Sequence, residues 1–466
     1  MTKSNLVQYK NQILAAIAAN MIALAHGTML GWMSPTLNLL HTADSPLKDG
    51  ITTEEESWIG SCISIGGFTG TLIYGSLLDR IGRKYTLLLL GIPNFCGWIT
   101  IYFSTEVYHL YIARYLSGLT GGGLYVTVPI FIAEIANNNI RGSLGSMLVF
   151  IANIGLTFGY SLTAYLPYRI VPVITMWIPI IFTLMVAYLP ETPRFYLLNG
   201  RENDAEISYK FYTNLNGNTK EEFQKFNKGF QELRDSLKSS IANESKRKLK
   251  DFCNPVAIKA ILACIVIVIH NQVTGSFVIL NYSAKIFAAA GTSLDPNLCT
   301  IVMGITQIIG TYCATILVDH FGRKPLFNLS LFGMLLGLVT TGVYDYFSGT
   351  INLDNYSWIP IISVSFVIFS ASFGVNPLVV LIIVELLPGK IRSIASMGCL
   401  LILSSFAFIS LKVFPILMDL LNLYGVMWLC AGFCFTGIIF ITLAIPETRG
   451  KVLQEGDEEI VEENKC

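Results

Sequence analysis

Acidic and basic side chains recur twice at matching spacing along this chain, and groups of these types form ion pairs. The stretch DRIGRK at residues 79–84 is followed by DHFGRK at residues 319–324, and a glutamate seven residues before an arginine also occurs twice. The residues in these patterns are Asp79, Arg83, Glu134, Arg141, Asp319, Arg323, Glu385 and Arg392. Carboxylates and guanidiniums arranged in this way can make and break ion pairs as a protein changes shape.

A third signature, Pro-Glu-Thr, starts at Pro190 and again at Pro446. One such match could arise by chance, but three in the same order indicate a duplicated unit. Gly82 and Gly322, inside the first signature, allow a tight turn between two helices. The repeated charges therefore belong to the ends of helices in two related halves.

Composition excludes several classes of protein. The formal net charge of 0 gives no basic field for nucleic acid. The ten cysteines are scattered, without paired CxxC motifs, so neither a zinc site nor a disulfide framework is indicated. There is no GxxxxGK[ST] loop, which excludes an ATP-driven pump. We predict no cofactor, no metal and no enzymatic activity.

The chain has the composition of an integral membrane protein. Of its 466 residues 53% are hydrophobic and 13% are charged, against roughly 25% charged in soluble domains. A helix needs about 20 apolar residues to cross the bilayer. Suitable runs lie at 11–33, 57–78, 85–104, 109–133, 142–165, 170–190, 256–280, 298–318, 326–347, 357–386, 393–418 and 424–446. We therefore predict an all-α membrane protein with twelve transmembrane helices in two six-helix bundles.

The predicted domains follow from the gap between the two groups of spans. They are a first bundle (1–190), a cytoplasmic linker (191–255), a second bundle (256–446) and a cytoplasmic tail (447–466). Apolar residues recur at helical spacing in the linker at Phe223, Phe226, Phe230, Leu233 and Leu237. This spacing predicts short amphipathic helices at the cytoplasmic face; the alternative is a solvated linker.

Orientation follows from the excess of Lys and Arg in the loops on one side, which places both termini in the cytoplasm. We expect the plasma membrane as the location. Asn355 begins an Asn-Tyr-Ser sequon on an outer loop and is a candidate for glycosylation.

The repeated charges all lie at predicted cytoplasmic helix ends. A charge that faces lipid costs about 2.5–3.5 kcal/mol or more, so these groups should pair. Pairs that bridge the two halves would stabilise one closed state and break when the halves rock apart. The alternative, that Lys and Arg only set the orientation, accounts for the cations and leaves the matched acids unexplained.

At these residues the chain resembles the sugar-porter family of the major facilitator superfamily, and within it the insect facilitated trehalose transporter group. The resemblance covers nearly the whole length. The matching stretches are SWIGSCISIGG, GSLLDRIGRK, PIFIAEIANNNIRGSLGS, NIG at 153–155, PETPRF, NLCTIVMGI, ELLPGKIRS and PETRGK. The resemblance implies the major facilitator fold, with gating salt bridges at the eight repeated charges. It also implies that Arg114 has an internal partner, expected to be an acid of the same network.

Sugar recognition requires amides that hydrogen-bond to hydroxyls and an aromatic wall. The family motif implies that the substrate-binding residues are Gln272, Asn271, Gln307, Tyr282, Phe277 and Asn281. Phe277, Val149, Val380 and Leu403 replace polar or tryptophan residues of the family pattern. We therefore expect a small-molecule sugar as substrate, in a site with fewer polar groups than is typical of hexose carriers.

Energy coupling is assessed from the first span. Proton-coupled relatives carry an Asp where this chain has Thr28, and His26 is the nearest titratable group. The default is passive, facilitated transport of trehalose or a hexose by alternating access. Two alternatives stay open: a proton-coupled symporter, and a nutrient sensor that keeps the fold without transporting. Lys412, late in the eleventh span, is expected to snorkel to the outer headgroups.

Overall fold

The computed structural model describes residues 9–42, 45–48, 50–215, 220–245, 249–388, 391–445 and 447. Eleven helical segments among these residues are long and apolar enough to cross a membrane. The last, Ile394–Ala444, spans ~75 Å at 1.5 Å per residue, more than twice the ~30 Å of hydrocarbon. It breaks at Asn422, whose φ of 57° and ψ of 178° are not helical. This segment crosses twice, so the predicted fold class with twelve crossings is confirmed.

The first half contains six crossings, of which the sixth is broken. Its helices are α1 (Lys10–Leu40), α2 (Thr53–Ile81), α3 (Arg83–Tyr102), α4 (Val107–Ile135), α5 (Asn138–Tyr165), α6 (Ile170–Thr175) and α7 (Trp177–Ala187). The break between α6 and α7 lies at Met176. Pro179 has no N–H to donate to the carbonyl of Thr175, and this missing bond accounts for the interruption.

The region between the halves is helical. It contains α8 (Pro193–Leu198), α9 (Glu202–Thr213) and α10 (Lys220–Ser245). Phe226 and Phe230 of α10 pack against Tyr209 of α9, with ring centroids 5.5 and 5.6 Å apart, while Phe223 is exposed. Part of the predicted apolar row thus joins one linker helix to another. Except for Glu447, the predicted tail lies outside the described residues.

The second half contains the remaining crossings. Its helices are α11 (Pro255–Val273), α12 (Ser276–Ala289), α13 (Pro296–Phe321), α14 (Arg323–Ser348), α15 (Ile359–Ser370), α16 (Asn376–Leu386) and α17 (Arg392–Ala444). The chain turns between α11 and α12 at Gly275, where φ is 87°. A Cβ there would lie 2.9 Å from the Sγ of Cys430, so both backbone and space require glycine. A π-helical turn, Ala371–Val375, separates α15 from α16.

Small residues bring α2 and α4 of the first half into close contact. A Cβ on Gly118 would lie 1.9 Å from the carbonyl oxygen of Ile63, and one on Gly122 would lie 2.1 Å from that of Gly67. Backbones that approach this closely are typical of helix pairs in membranes, where packing and interhelical contacts drive association. The first half is therefore a tightly packed unit.

The two halves meet chiefly along three helix pairs: α1 with α12, α2 with α17, and α5 with α13. We call the end of the bundle that carries Gly82 and Gly322 the basic end, and the other the opposite end. One buried cluster runs across the halves from Trp32 to Phe287. A second cluster, which includes Leu189, contains residues of the first half and linker only. The buried cluster that spans both halves therefore includes residues near the opposite end, such as Leu37 and Phe287.

Gly118→Ala should destabilise the protein by roughly 1–3 kcal/mol, because the added methyl group overlaps the backbone of α2. Thermal unfolding of the purified protein measures this as a lower midpoint. Gly145→Ala is the matched control, since a Cβ at Gly145 on α5 meets nothing within 4 Å. Equal midpoints for the two variants would show that α2 and α4 can separate without cost.

Candidate functional site

Buried amides surround the break between α11 and α12. Gln272 Nε2 donates to Asn271 Oδ1 at 3.0 Å, and Asn271 Nδ2 donates to Asn376 Oδ1 at 3.3 Å. Ser276 Oγ, at the start of α12, donates to the same Asn376 oxygen at 3.2 Å. Gln272 is 6% exposed, and its Oε1 accepts no hydrogen bond from the described residues. A buried acceptor of this kind is costly unless something donates to it.

Gln307 of α13 belongs to a second hydrogen-bonded set, which joins the halves. Its Nε2 donates to Asn153 Oδ1 of α5 at 3.0 Å, and Asn153 Nδ2 donates to Thr311 Oγ1 at 2.8 Å. Within the described part of the chain, Gln307 Oε1 also has no donor. The structure thus places Gln307 with Asn153, in a different set from Gln272 and Asn271.

The other predicted substrate residues lie on α12. Phe277 is half-buried, and its carbonyl accepts from Asn281 Nδ2 at 2.9 Å. Asn281 Oδ1 accepts from Arg114 Nη2 at 2.9 Å, which joins α12 to α4 of the first half. Tyr282 is fully buried, and its hydroxyl donates to the carbonyl of Leu411 at 3.1 Å. Two of the predicted ligands, Asn281 and Tyr282, therefore make helix-to-helix contacts.

The expectation that Arg114 pairs with an acid is wrong. Besides Asn281, it donates to the carbonyl oxygens of Ile59 at 3.1 Å and Met29 at 3.4 Å. No carboxylate lies within ion-pair distance of it among the residues described. Thr28 on α1 carries no charge, and its hydroxyl donates to the carbonyl of Leu24. Neutral oxygens from three helices therefore stabilise a fully buried cation.

At the basic end, no ion pair among the described residues bridges the two halves. Arg83 contacts Glu134 at 2.9 Å in the first half, and Arg323 contacts Glu385 at 3.2 Å in the second. We expected such pairs to bridge the halves; in this conformation each arginine instead turns back towards an acid of its own bundle. The hydroxyl of Thr192 completes the first set by donating to Glu134 Oε2 at 2.6 Å.

The remaining repeated charges make weaker contacts. Asp79 lies 3.5 Å from Arg83 and is exposed. Arg141 donates to the carbonyl of Ala136 at 3.4 Å, and Arg392 donates to that of Leu387 at 3.1 Å. The side chain of Asp319 lies outside the described part of the structure.

The structure gives the repeated Pro-Glu-Thr motif a role in helix capping. Glu191 accepts from the backbone N–H of Lys84 at 3.0 and 3.1 Å, at the start of α3. Glu447 accepts from the backbone N–H of Arg323 at 3.0 Å, at the start of α14. A carboxylate at a helix N-terminus bonds free N–H groups and offsets the dipole. Burial raises the pKa of the Glu191 carboxyl, although backbone N–H groups partly oppose this shift.

An ion pair that the sequence analysis missed bridges the halves at the opposite end. Lys285 Nζ of α12 lies 2.8 and 2.9 Å from the carboxylate oxygens of Glu56 on α2. His41 Nε2 lies 3.1 Å from the same carboxylate, whose side chain is fully buried. A lysine within an apolar stretch needs an acid partner, and this rule could have directed attention to Lys285.

Lys412 makes a second contact between the halves near this end. Its Nζ donates to Ser57 Oγ at 2.8 Å and lies 4.0 Å from the centroid of the Trp58 ring. The ammonium of Lys412 thus contacts a hydroxyl and an aromatic face of α2 at this end, and its position near the outer headgroups stays a prediction. Asn355, the predicted glycosylation site, is exposed within a short 3₁₀ turn, Asp354–Tyr356.

The family model described as "Sugar (and other) transporter" matches residues 15–460. The chain is 29% identical to the facilitated trehalose transporter Tret1 of Polypedilum vanderplanki, over 97% of this chain and 88% of the relative. It is 28% identical to that of Anopheles gambiae, over 97% of this chain and 56% of the relative. The xylose transporter XylE from E. coli, in a partially occluded inward-open conformation, has a TM-score of 0.77 at 21% identity, covering 95% of this chain and 100% of that one.

Glu56→Gln should weaken closure at the opposite end, because it leaves Lys285 without its carboxylate. Breaking a buried pair costs about 3–5 kcal/mol, so the closed population should fall at least about tenfold. A cysteine at Ser34, which lies buried against Ser283 of α12, reports opening through its rate of maleimide labelling. The control is Glu106→Gln, since Glu106 pairs with the exposed Lys48 of the same half. Equal labelling rates in the two variants would contradict a closing function of Glu56.

Proposed function

Because the chain belongs to the sugar (and other) transporter family, we propose that it carries trehalose or a hexose passively across the plasma membrane by alternating access. The observation that carries this proposal is a pair of buried amide oxygens, Gln272 Oε1 and Gln307 Oε1, that have no donor among the residues that the structure describes. Hydroxyl groups of a sugar donate to such oxygens, and the hydroxyl oxygens in turn accept from amide N–H groups. The insect relatives named as trehalose transporters support trehalose as the first sugar to test.

The transport cycle follows from the contacts at the two ends. The excess of Lys and Arg supports a cytoplasmic basic end, with residues 1–190 and 256–446 as the moving halves and 191–255 as linker. The Glu56–Lys285 pair closes the opposite end, so this conformation faces the cytoplasm. Sugar binds between the halves, and the halves then rock about it. The acid–arginine sets at the basic end, including Arg141, Asp319 and Arg392, form the gate that closes in the other state.

Passive transport is supported by the environment of Arg114. A carrier driven by protons needs a group that binds and releases a proton during the cycle. Thr28 and Asn281 cannot titrate, and the described residues place no carboxylate next to Arg114. His26 is buried and packs edge-on against Tyr125 at 6.4 Å, as expected for a packing residue.

Sugar uptake into proteoliposomes should therefore reach equilibrium and stop, with or without an inward proton gradient. Radiolabelled trehalose, glucose and fructose in parallel identify the substrate, and a polyol serves as the comparison. Accumulation that a protonophore abolishes would overturn the passive mechanism. Sugar binding without any flux would instead indicate a nutrient sensor.

Gln272→Ala should weaken sugar binding by roughly 1–3 kcal/mol, because a buried hydrogen-bonding partner of the substrate is lost. Its unfolding temperature should change little. Asn20→Ala is the control, since Asn20 is also buried, its Oδ1 likewise has no donor among the described residues, and its Nδ2 donates within α1 to the carbonyl of Ala16. If Gln272→Ala lowers the unfolding temperature and leaves affinity unchanged, Gln272 is a structural residue and the site lies elsewhere.

A further inference from the structure

Asn153 lies in the NIG motif of α5, one helical turn beyond Val149. It is 8% exposed and bonds to two residues of α13, Gln307 and Thr311. Burying a side-chain amide within a membrane span costs free energy unless the amide is hydrogen-bonded. The presence of Asn153 at the contact between the halves therefore calls for an explanation. The explanation follows from which atom donates and which accepts in each hydrogen bond of Asn153.

The directions are fixed by a chain of donors that starts on the backbone. Thr311 Oγ1 lies 3.0 Å from the carbonyl oxygen of Gln307, which can only accept, so the threonine hydroxyl donates its single proton there. Towards Asn153, at 2.8 Å, the hydroxyl oxygen must then accept. The atom of Asn153 that faces Thr311 is therefore Nδ2, and its Oδ1 faces Gln307.

The same logic fixes the amide of Gln307. Since Asn153 presents an oxygen at 3.0 Å, Gln307 must present its Nε2. Its Oε1 then points away from Asn153 and accepts no hydrogen bond from the described residues. Amide orientation is usually an assignment from the surrounding network, and here the backbone carbonyl determines it.

We propose that Asn153 and Thr311 are positioning residues that hold Gln307 Oε1 as an acceptor for one sugar hydroxyl. The inference rests on the proposed function. It states a specificity rule: at one ring position the substrate must donate a hydrogen bond to Gln307 Oε1, and a substituent that can only accept a hydrogen bond binds more weakly. Without the hydrogen bonds from Thr311 through Asn153, the Gln307 side-chain amide can flip. Its Nε2–H then occupies the position of Oε1 and can donate to an acceptor on the substrate.

The test uses D-glucose and trehalose with their singly deoxygenated and singly fluorinated derivatives, by equilibrium binding to full-length protein in nanodiscs. Fluorine accepts weakly and cannot donate. In the wild type, both modifications at one ring position should reduce affinity about 5- to 150-fold, because the buried Gln307 Oε1 then loses its donor. In Asn153→Ala and in Thr311→Val, the penalty for fluorine at that position should fall below about twofold.

Thr157→Val is the matched control. Thr157 also lies on α5 against α13, but its hydroxyl donates to the carbonyl of Asn153 within the helix. This control should keep the wild-type pattern even if packing and stability change. A fluorine penalty that persists in Asn153→Ala, or that disappears equally in Thr157→Val, overturns the proposal. If neither parent sugar binds the wild type, the proposed function itself fails.

Discussion

Hydrocarbon gives a polar side chain no partner, so every buried charge in this protein must be satisfied by another part of the chain. Arg114 shows how strongly this constraint shapes the interior. Its guanidinium has no carboxylate among the described residues, and it is held by Ile59, Met29 and Asn281, which belong to three different helices. Because Asn281 belongs to the second half, the constraint ties α4 to α12. The relative position of the halves is thus linked to the solvation of one cation.

The turn at Gly275 explains how a substrate could influence that link. Gln272 lies just before the turn, while Asn281 and Lys285 lie after it on α12. Gly275 has a φ of 87°, which favours glycine, and the nearby sulfur of Cys430 leaves no space for a side chain. The helix is therefore interrupted at this residue. Gln272, proposed to bind substrate, and Lys285, proposed to close the opposite end, therefore lie on either side of the same helix break. Such breaks let two parts of one crossing change their relative position. Broken helices of this kind are tolerated in membranes because the freed backbone groups line protein and not lipid.

The sequence predicted the repeat, the spans and the fold class well, because each depends on local composition and on motifs that occur twice. It predicted less about contacts, and the errors have physical causes. The Pro-Glu-Thr motif was recognised as a repeat, but only the structure showed that Glu191 and Glu447 cap the helices that follow Gly82 and Gly322. Arg114 was assigned an acid partner because a buried charge usually has one; three neutral oxygens were not foreseen. Lys285 lies in an apolar stretch and therefore needs a partner, but its acid is 229 residues away in the chain, and nothing local identifies Glu56 as that acid.

The two ends differ in a way that bears on how a passive carrier can keep both of its states accessible. At the basic end, the pairs Arg83–Glu134 and Arg323–Glu385 stay within one half and can persist while the halves move. At the opposite end, the Glu56–Lys285 pair must break, and an isolated buried carboxylate would make that step very costly. His41 belongs to the same half as Glu56, so a movement of one half against the other does not by itself separate these two side chains. Lys285 is already a quarter exposed, so its ammonium can pass into water. A partner on its own half lowers the free energy that opening costs the Glu56 carboxylate, and the proposed carrier requires that cost to stay within what substrate binding can offset.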